Sequence, residues 1–109
     1  MAYDEKLAGR VRTVLAGTRS LTEKKMFGGL AFMVRGHMCC GVEKDRLMVR
    51  VGPEQYETTL KRTHAREMDF TGRPLRGFVY VLPTGIKRQE SLRQWIDMGL
   101  SYVSALPKK

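Results

Sequence analysis

A single α+β domain is predicted by two observations: apolar residues at helical spacing near both ends of the chain, and three short β-rich segments between them with the spacing of a meander. Bulk composition agrees. Of the 109 residues, 42% are hydrophobic and 28% are charged, too apolar for a disordered tail and sufficient for one core. No stretch reaches the ~18 apolar residues of a membrane helix, and the N-terminal residues enter a polar amphipathic segment in place of a secretory leader. A soluble cytoplasmic protein with no membrane partner is expected, folded as one domain over residues 1–109.

Between Asp4 and Leu15, the residues Leu7, Val11, Val14 and Leu15 share a helical face, with Arg10, Arg12 and Thr13 off it. Gly17 supplies a stop, and the residues through Ser20 read as a polar connection to Met26-Phe27-Gly28-Gly29. Strands follow at Leu30–Val34, Met38–Val42 and Leu47–Val51, divided by Arg35-Gly36-His37 and by a turn at Lys44-Asp45. In the third, Arg46, Met48 and Arg50 alternate against Leu47, Val49 and Val51, so one face carries two guanidiniums and is expected to be partly wet. At Gly52-Pro53 the period changes. Proline suits a first helical turn, Glu54 suits its positive end, and Tyr56 and Leu60 stand one turn apart, predicting a helix to about Lys61. A polar connection over residues 63–76 then leads to a strand at Phe78–Leu82, and its length marks it as the leading candidate for a functional loop. The closing helix, Gln89 to Ala105, sets Leu92, Ile96, Gly99, Val103 and Leu106 in a stripe widened by Trp95 and Tyr102, and Pro107 ends it.

The net charge is +9, from 20 Lys and Arg against 11 Asp and Glu, enough to attract an acidic partner across a Debye length of about 10 Å. Lys61, Arg62, Arg66, Arg73 and Arg76 crowd the polar connection against Glu67 and Asp69. With Arg46 and Arg50 they are the candidate contacts to a protein partner or to nucleic-acid phosphates. No recognised nucleic-acid module accompanies them, so any grip on DNA or RNA is expected to be weak and salt-sensitive. Phe70 and Tyr80 offer rings for stacking but equally suit the core.

Catalytic chemistry lacks a constellation. Met26-Phe27-Gly28-Gly29 has neither the Walker spacing nor a following Lys-Ser/Thr, and reads as a bend into the sheet with Phe27 packed. Cys39 and Cys40 are adjacent, which on an ordinary strand sends them to opposite faces. That arrangement suits neither a loop-closing disulfide nor one tetrahedral zinc site with His37 or His64, and it is not Cys-X-X-Cys, so both are expected as reduced, packed thiols. His37 and His64 have no partner motif, and Glu67, Asp69 and Glu90 read as surface carboxylates. Neither enzymatic activity, cofactor nor metal is expected.

The segment Lys25-Met26-Phe27-Gly28-Gly29-Leu30-Ala31-Phe32-Met33-Val34, followed by Gly36-His37-Met38 and Asp45-Arg46-Leu47, resembles the opening of the N-terminal domain of the TfoX/Sxy competence regulators. The second half is similar too, through Phe70-Thr71-Gly72-Arg73-Pro74-Leu75-Arg76-Gly77-Phe78-Val79-Tyr80-Val81 and the closing Leu92, Trp95 and Leu106-Pro107-Lys108. The resemblance covers about residues 23–108 and marks Met26, Phe27, Gly28, Gly29, Gly72, Arg73, Pro74 and Trp95 as a structural signature. It implies a curved antiparallel sheet with packed helices in the approximate order α-β-β-β-α-β-α, with room for the later β region to be divided. It also implies a homodimer, and the unbroken apolar run Leu30–Val34 agrees, because a strand covered on one face alone would alternate. Full-length regulators of the family carry a further helical domain that this chain does not reach. The role implied here is therefore a non-enzymatic regulatory or protein-interaction module, its partner a second protein or a second copy.

Overall fold

The computed structural model describes residues 3–26, 28–70 and 73–107. Its elements are α1 (Glu5–Leu15), β1 (Leu21–Met26), β2 (Gly29–Val34), β3 (His37–Glu43), β4 (Arg46–Arg50), α2 (Tyr56–Leu60), β5 (Ala65–Phe70), β6 (Arg73–Val81) and α3 (Gln89–Ser104), with a 3₁₀ turn at Pro83–Gly85 before α3. All six strands join one antiparallel sheet in the order β1-β2-β3-β4-β6-β5. The expected α+β class holds, and two strands join the expected element order. No helix among the described residues is long and apolar enough to cross a membrane.

Both added strands are edges. β1 pairs with β2 along its whole length, from Leu21 opposite Val34 to Met26 opposite Gly29, yet Thr22, Glu23, Lys24 and Lys25 are all exposed. Backbone hydrogen bonds to one neighbour hold it, so its side chains show no apolar alternation, and its lysines discourage pairing at the open edge. At the other edge, the stretch over residues 63–76 expected to be a loop is a hairpin of β5 and the first half of β6. Only Ala65 and Met68 of β5 are seen to be buried, which is why this strand reads as polar.

Asp4 caps α1: its Oδ1 accepts hydrogen bonds from the backbone N–H groups of Lys6 at 2.8 Å and Leu7 at 3.2 Å. The helix buries Leu7, Ala8, Val11, Val14 and Leu15. α3 buries Leu92, Trp95, Ile96, Gly99 and Val103 over the same sheet face, which supplies Leu30, Phe32, Val34, Leu47, Val49, Val79 and Val81. At Gly99 the helix passes so close to β3 that a Cβ would lie 2.5 Å from the Cys39 carbonyl oxygen. This close approach overrides the helix penalty of an interior glycine.

The same place corrects the expectation for the cysteines. Between β2 and β3, Phe32 faces Cys40 but Met33 faces Met38, leaving Cys39 as the extra residue of a β-bulge. A bulge breaks the two-residue alternation, and Cys39 and Cys40 both sit in the helix-covered core, fully buried and unbridged. A hydrogen bond with Cys39, followed by burial, pushes the Cys40 thiol well above its ordinary pKa. The pair is packed as expected but shares a face.

The turn Arg35-Gly36 between β2 and β3 reaches the end of α3. Arg35 Nη2 donates to the carbonyls of Val103 (3.3 Å), Ser104 (3.0 Å) and Leu106 (3.1 Å). His37 Nε2 lies 2.6 Å from the Pro107 carbonyl, and since a carbonyl only accepts, Nε2 carries the proton. Arg35 thus sets a cation on carbonyls at and just past the C-terminal end of α3, where the helix dipole favours positive charge, and His37 holds the chain three residues beyond it.

The opposite face of the sheet has its own small core of Ala31, Met38, Met48, Met68 and Tyr80, flanked by Met26, Met33, Leu75 and Phe78, all of them strand residues. Bulging aids its closure: Glu67 faces Val79 but Asp69 faces Pro74, so several β6 residues bow out against Met68. Ala31, Met48 and Met68 have no exposure at all. The run Leu30–Val34 is thus apolar on both faces because a single chain covers both.

Candidate functional site

The seven basic residues singled out from the sequence do not form one patch. Arg46 and Arg50 lie half-buried on the strand-built face. Arg46 pairs with Glu43 Oε1 and lies 3.8 Å from the centroid of the Tyr80 ring. Arg50 lies 5.4 Å from the Phe78 ring centroid and 5.3 Å from that of Tyr102. Both spread over aromatic rings, and Tyr80, 6% exposed beneath Arg46, offers no surface for a stacked base. Burial, reinforced by the Glu43 charge, raises the Tyr80 pKa against the opposing pull of Arg46.

A second group gathers at the β5 end of the sheet. Lys61, just past α2, is exposed, as is Arg66 on β5, whose Nη1 braces the chain through the carbonyls of Thr63 (2.9 Å) and Ala65 (2.8 Å). The Arg76 side chain on β6 is 64% exposed, with its nearest carboxylate, Glu57, at 4.0 Å. It lies 5.6 Å from the ring centroid of Tyr56, whose hydroxyl is buried without a hydrogen-bond partner among the described residues. Burial and the Glu67 charge raise the Tyr56 pKa. The backbone of Arg73 and Pro74 opens β6, while their side chains, and the whole of Phe27 and Gly72, lie outside the described residues.

Arg62 stands apart, in an open cleft of about 430 Å³ lined by Arg62, Thr63, His64, Gly85, Ser91, Gln94 and Trp95. Its guanidinium sits 4.0 Å from the Trp95 ring centroid, and Nη1 reaches Met98 Sδ at 3.4 Å. No carboxylate lies within ion-pair distance of it among the described residues. The His64 ring is held from two sides. Its Nδ1 is 3.0 Å from Thr84 Oγ1, and it packs so tightly on Gly85 that a Cβ there would meet its Cβ at 2.5 Å. Ser91 and Gln94, three residues apart, face the cleft from α3. Sequence reading found Arg62 and Trp95 separately, but nothing in the sequence joins them to His64, Ser91 and Gln94, because only the packing of the α2–β5 connection on α3 does so.

A larger, more apolar groove of about 530 Å³ runs between the Gly52-Pro53 segment and the second half of α3. Among the described residues, no three His, Cys, Asp or Glu side chains gather as a metal site.

Residues 13–102 match the family described as the TfoX N-terminal domain. The chain belongs to that family. No curated protein and no solved structure matches it. The match to the TfoX N-terminal domain begins inside α1 and ends inside α3, so it takes in the whole sheet. Within the family signature, Gly28 turns the chain from β1 into β2 at a φ of +74°, a conformation that favours glycine. Gly29 lies against the Val42 carbonyl, where no side chain fits. Trp95, 4% exposed, is the floor on which Arg62 rests.

Proposed function

We propose that this TfoX N-terminal domain is a non-enzymatic regulatory or protein-interaction module that engages an acidic protein surface through its β5 end. One observation supports the reading above others: Lys61, Arg66 and Arg76 are all exposed there, and the carboxylate that Arg76 meets, that of Glu57 at 4.0 Å, is itself 78% exposed. Cations this exposed present their field to an incoming acidic surface, and Arg66, already braced on the Thr63 and Ala65 carbonyls, has less side-chain freedom to lose on binding. Affinity capture with the wild-type chain and with a variant carrying Lys61→Gln, Arg66→Gln and Arg76→Gln tests it. A partner retained by the wild type and lost by an equally folded variant is the expected result. Identical recovery by both chains overturns the reading.

The net charge of +9 favours a second reading, weak nucleic-acid binding through phosphate contacts alone. Fluorescence anisotropy with labelled DNA and RNA should then show an affinity that collapses between about 50 and 200 mM salt. Absence of binding at low salt removes this reading. A homodimer, if it forms, uses surface other than the closed second face of β2. Light scattering would show a mass that rises toward twice the monomer value with concentration, and a constant monomer mass would exclude it.

A further inference from the structure

We propose that the cleft between the α2–β5 connection and α3 is a binding site for a phosphomonoester, its anionic head held by Arg62, His64, Thr63 and Ser91. This inference does not rest on the partner surface at the β5 end, which uses other cations. Three features carry it. Arg62 is a guanidinium with no carboxylate within ion-pair distance among the described residues, held in position by the Trp95 ring and spending one contact on a thioether, a poor acceptor. A planar fork of N–H donors pre-positioned in this way suits the oxygens of a phosphate.

The second feature is the fixed histidine. The Thr84 hydroxyl and the bare backbone of Gly85 hold the His64 ring at the wall of the cleft. When the hydroxyl donates to Nδ1, the ring proton resides on Nε2, and the ring becomes a further donor. The third is the character and size of the lining. Two hydroxyls and an amide, from Thr63, Ser91 and Gln94, complete it without a carboxylate. That supply of donors exceeds what the two oxygens of a carboxylate need and matches the three terminal oxygens of a phosphomonoester. At about 430 Å³ the cleft falls within the usual range for small ligands, with room beside the phosphate for more of the molecule. A concave site of this kind takes a terminal phosphate, whereas an internal phosphodiester needs a track along the surface.

The test is an NMR titration of the full chain with inorganic phosphate and with adenosine 5′-monophosphate, against sodium chloride at matched ionic strength. Saturable shifts are expected at the amides of Thr63, His64 and Ser91 and at the Trp95 indole, with both phosphates and not with chloride. A lower dissociation constant for the mononucleotide identifies a larger phosphorylated ligand, and equal constants identify the phosphate alone. Arg62→Gln should weaken binding about tenfold or more. Because Arg62 also packs on Trp95, Ser91→Glu provides a second variant: it sets a carboxylate in the cleft at a helix position that accepts glutamate, and it should abolish saturation while the remaining spectrum stays folded. Shifts that follow ionic strength without saturating, or that persist unchanged in Ser91→Glu, overturn the proposal.

Discussion

The two faces of the sheet each bury a core, but by different means. On one, strands rich in Val, whose branched side chains are stiff at χ1, lie beneath the packed apolar faces of α1 and α3. On the other no helix arrives, and Met38, Met48 and Met68 fill the space with Tyr80 under the cover of Arg46. Methionine adapts to irregular gaps, and an arginine stem shields apolar surface while its head stays wet. The first face specifies its geometry closely, and the second tolerates change. Substitutions should therefore cost more on the first.

The largest loss is expected from Phe32→Ala, fully buried beneath the helices, at about 3–5 kcal/mol in urea unfolding. Gly99→Ala follows at about 1–3 kcal/mol, since the new methyl must displace α3 from the Cys39 carbonyl. Leu47 and Met48 are neighbours, equally buried and on opposite faces, so the matched exchange Leu47→Met, at up to ~1.5 kcal/mol, should cost more than Met48→Leu. Equal losses for the two would erase the distinction between the faces.

The thiols sharpen the same comparison. Cys39 and Cys40 lie within the stiffer core, so a thiol reagent should react with them only at the rate of unfolding, and fast labelling of the native protein would show that this face opens locally. Because the Cys40 pKa is raised in the folded state, its contribution to stability is complete below the ordinary thiol value of about 8.5 and erodes above it, as the unfolded chain ionises first. Stability measured across that range should fall on the alkaline side, and a Cys40→Ala variant should fall less.

The smallest effect belongs to Arg12 and Glu23, which join α1 to the β1 edge through two hydrogen bonds of 2.8 and 2.9 Å. The hydrogen bond from Arg12 holds the Glu23 carboxyl below its ordinary pKa. Its contribution is present above the unfolded value of about 4.3 and disappears as pH falls through the folded one. The side chains are 44% and 36% exposed, so Arg12→Gln should cost less than ~1 kcal/mol and flatten the acid limb by no more than that.

Elements that bury an apolar face were legible in the chain. α1, β2, β3, β4 and α3 appear within a residue or so of their expected bounds, because burial writes itself into the period of Leu, Val and Ile. β1 left no such trace: it is held by backbone pairing and carries Thr-Glu-Lys-Lys on its exposed length. β5 was hidden for the same reason. The bulge at Cys39 inverts a face by one inserted residue, which composition does not show. Basic residues were legible as chemistry but not as places: Arg46 and Arg50 cover rings, Arg62 lines a cleft, and Arg66 braces its own turn. Charge can be read from a sequence, whereas the side on which it falls depends on contacts between distant segments.

The grip of Arg35 and His37 on the end of α3 has a mechanical consequence. Four hydrogen bonds join the β2–β3 turn to the carbonyls of residues 103, 104, 106 and 107. A pull on the chain beyond Pro107 is therefore carried first into the middle of the sheet, past the helix's own last turn. Fraying, which ordinarily begins at a helix terminus, must here begin by detaching a hairpin turn, so whatever tugs at this end tugs on the core.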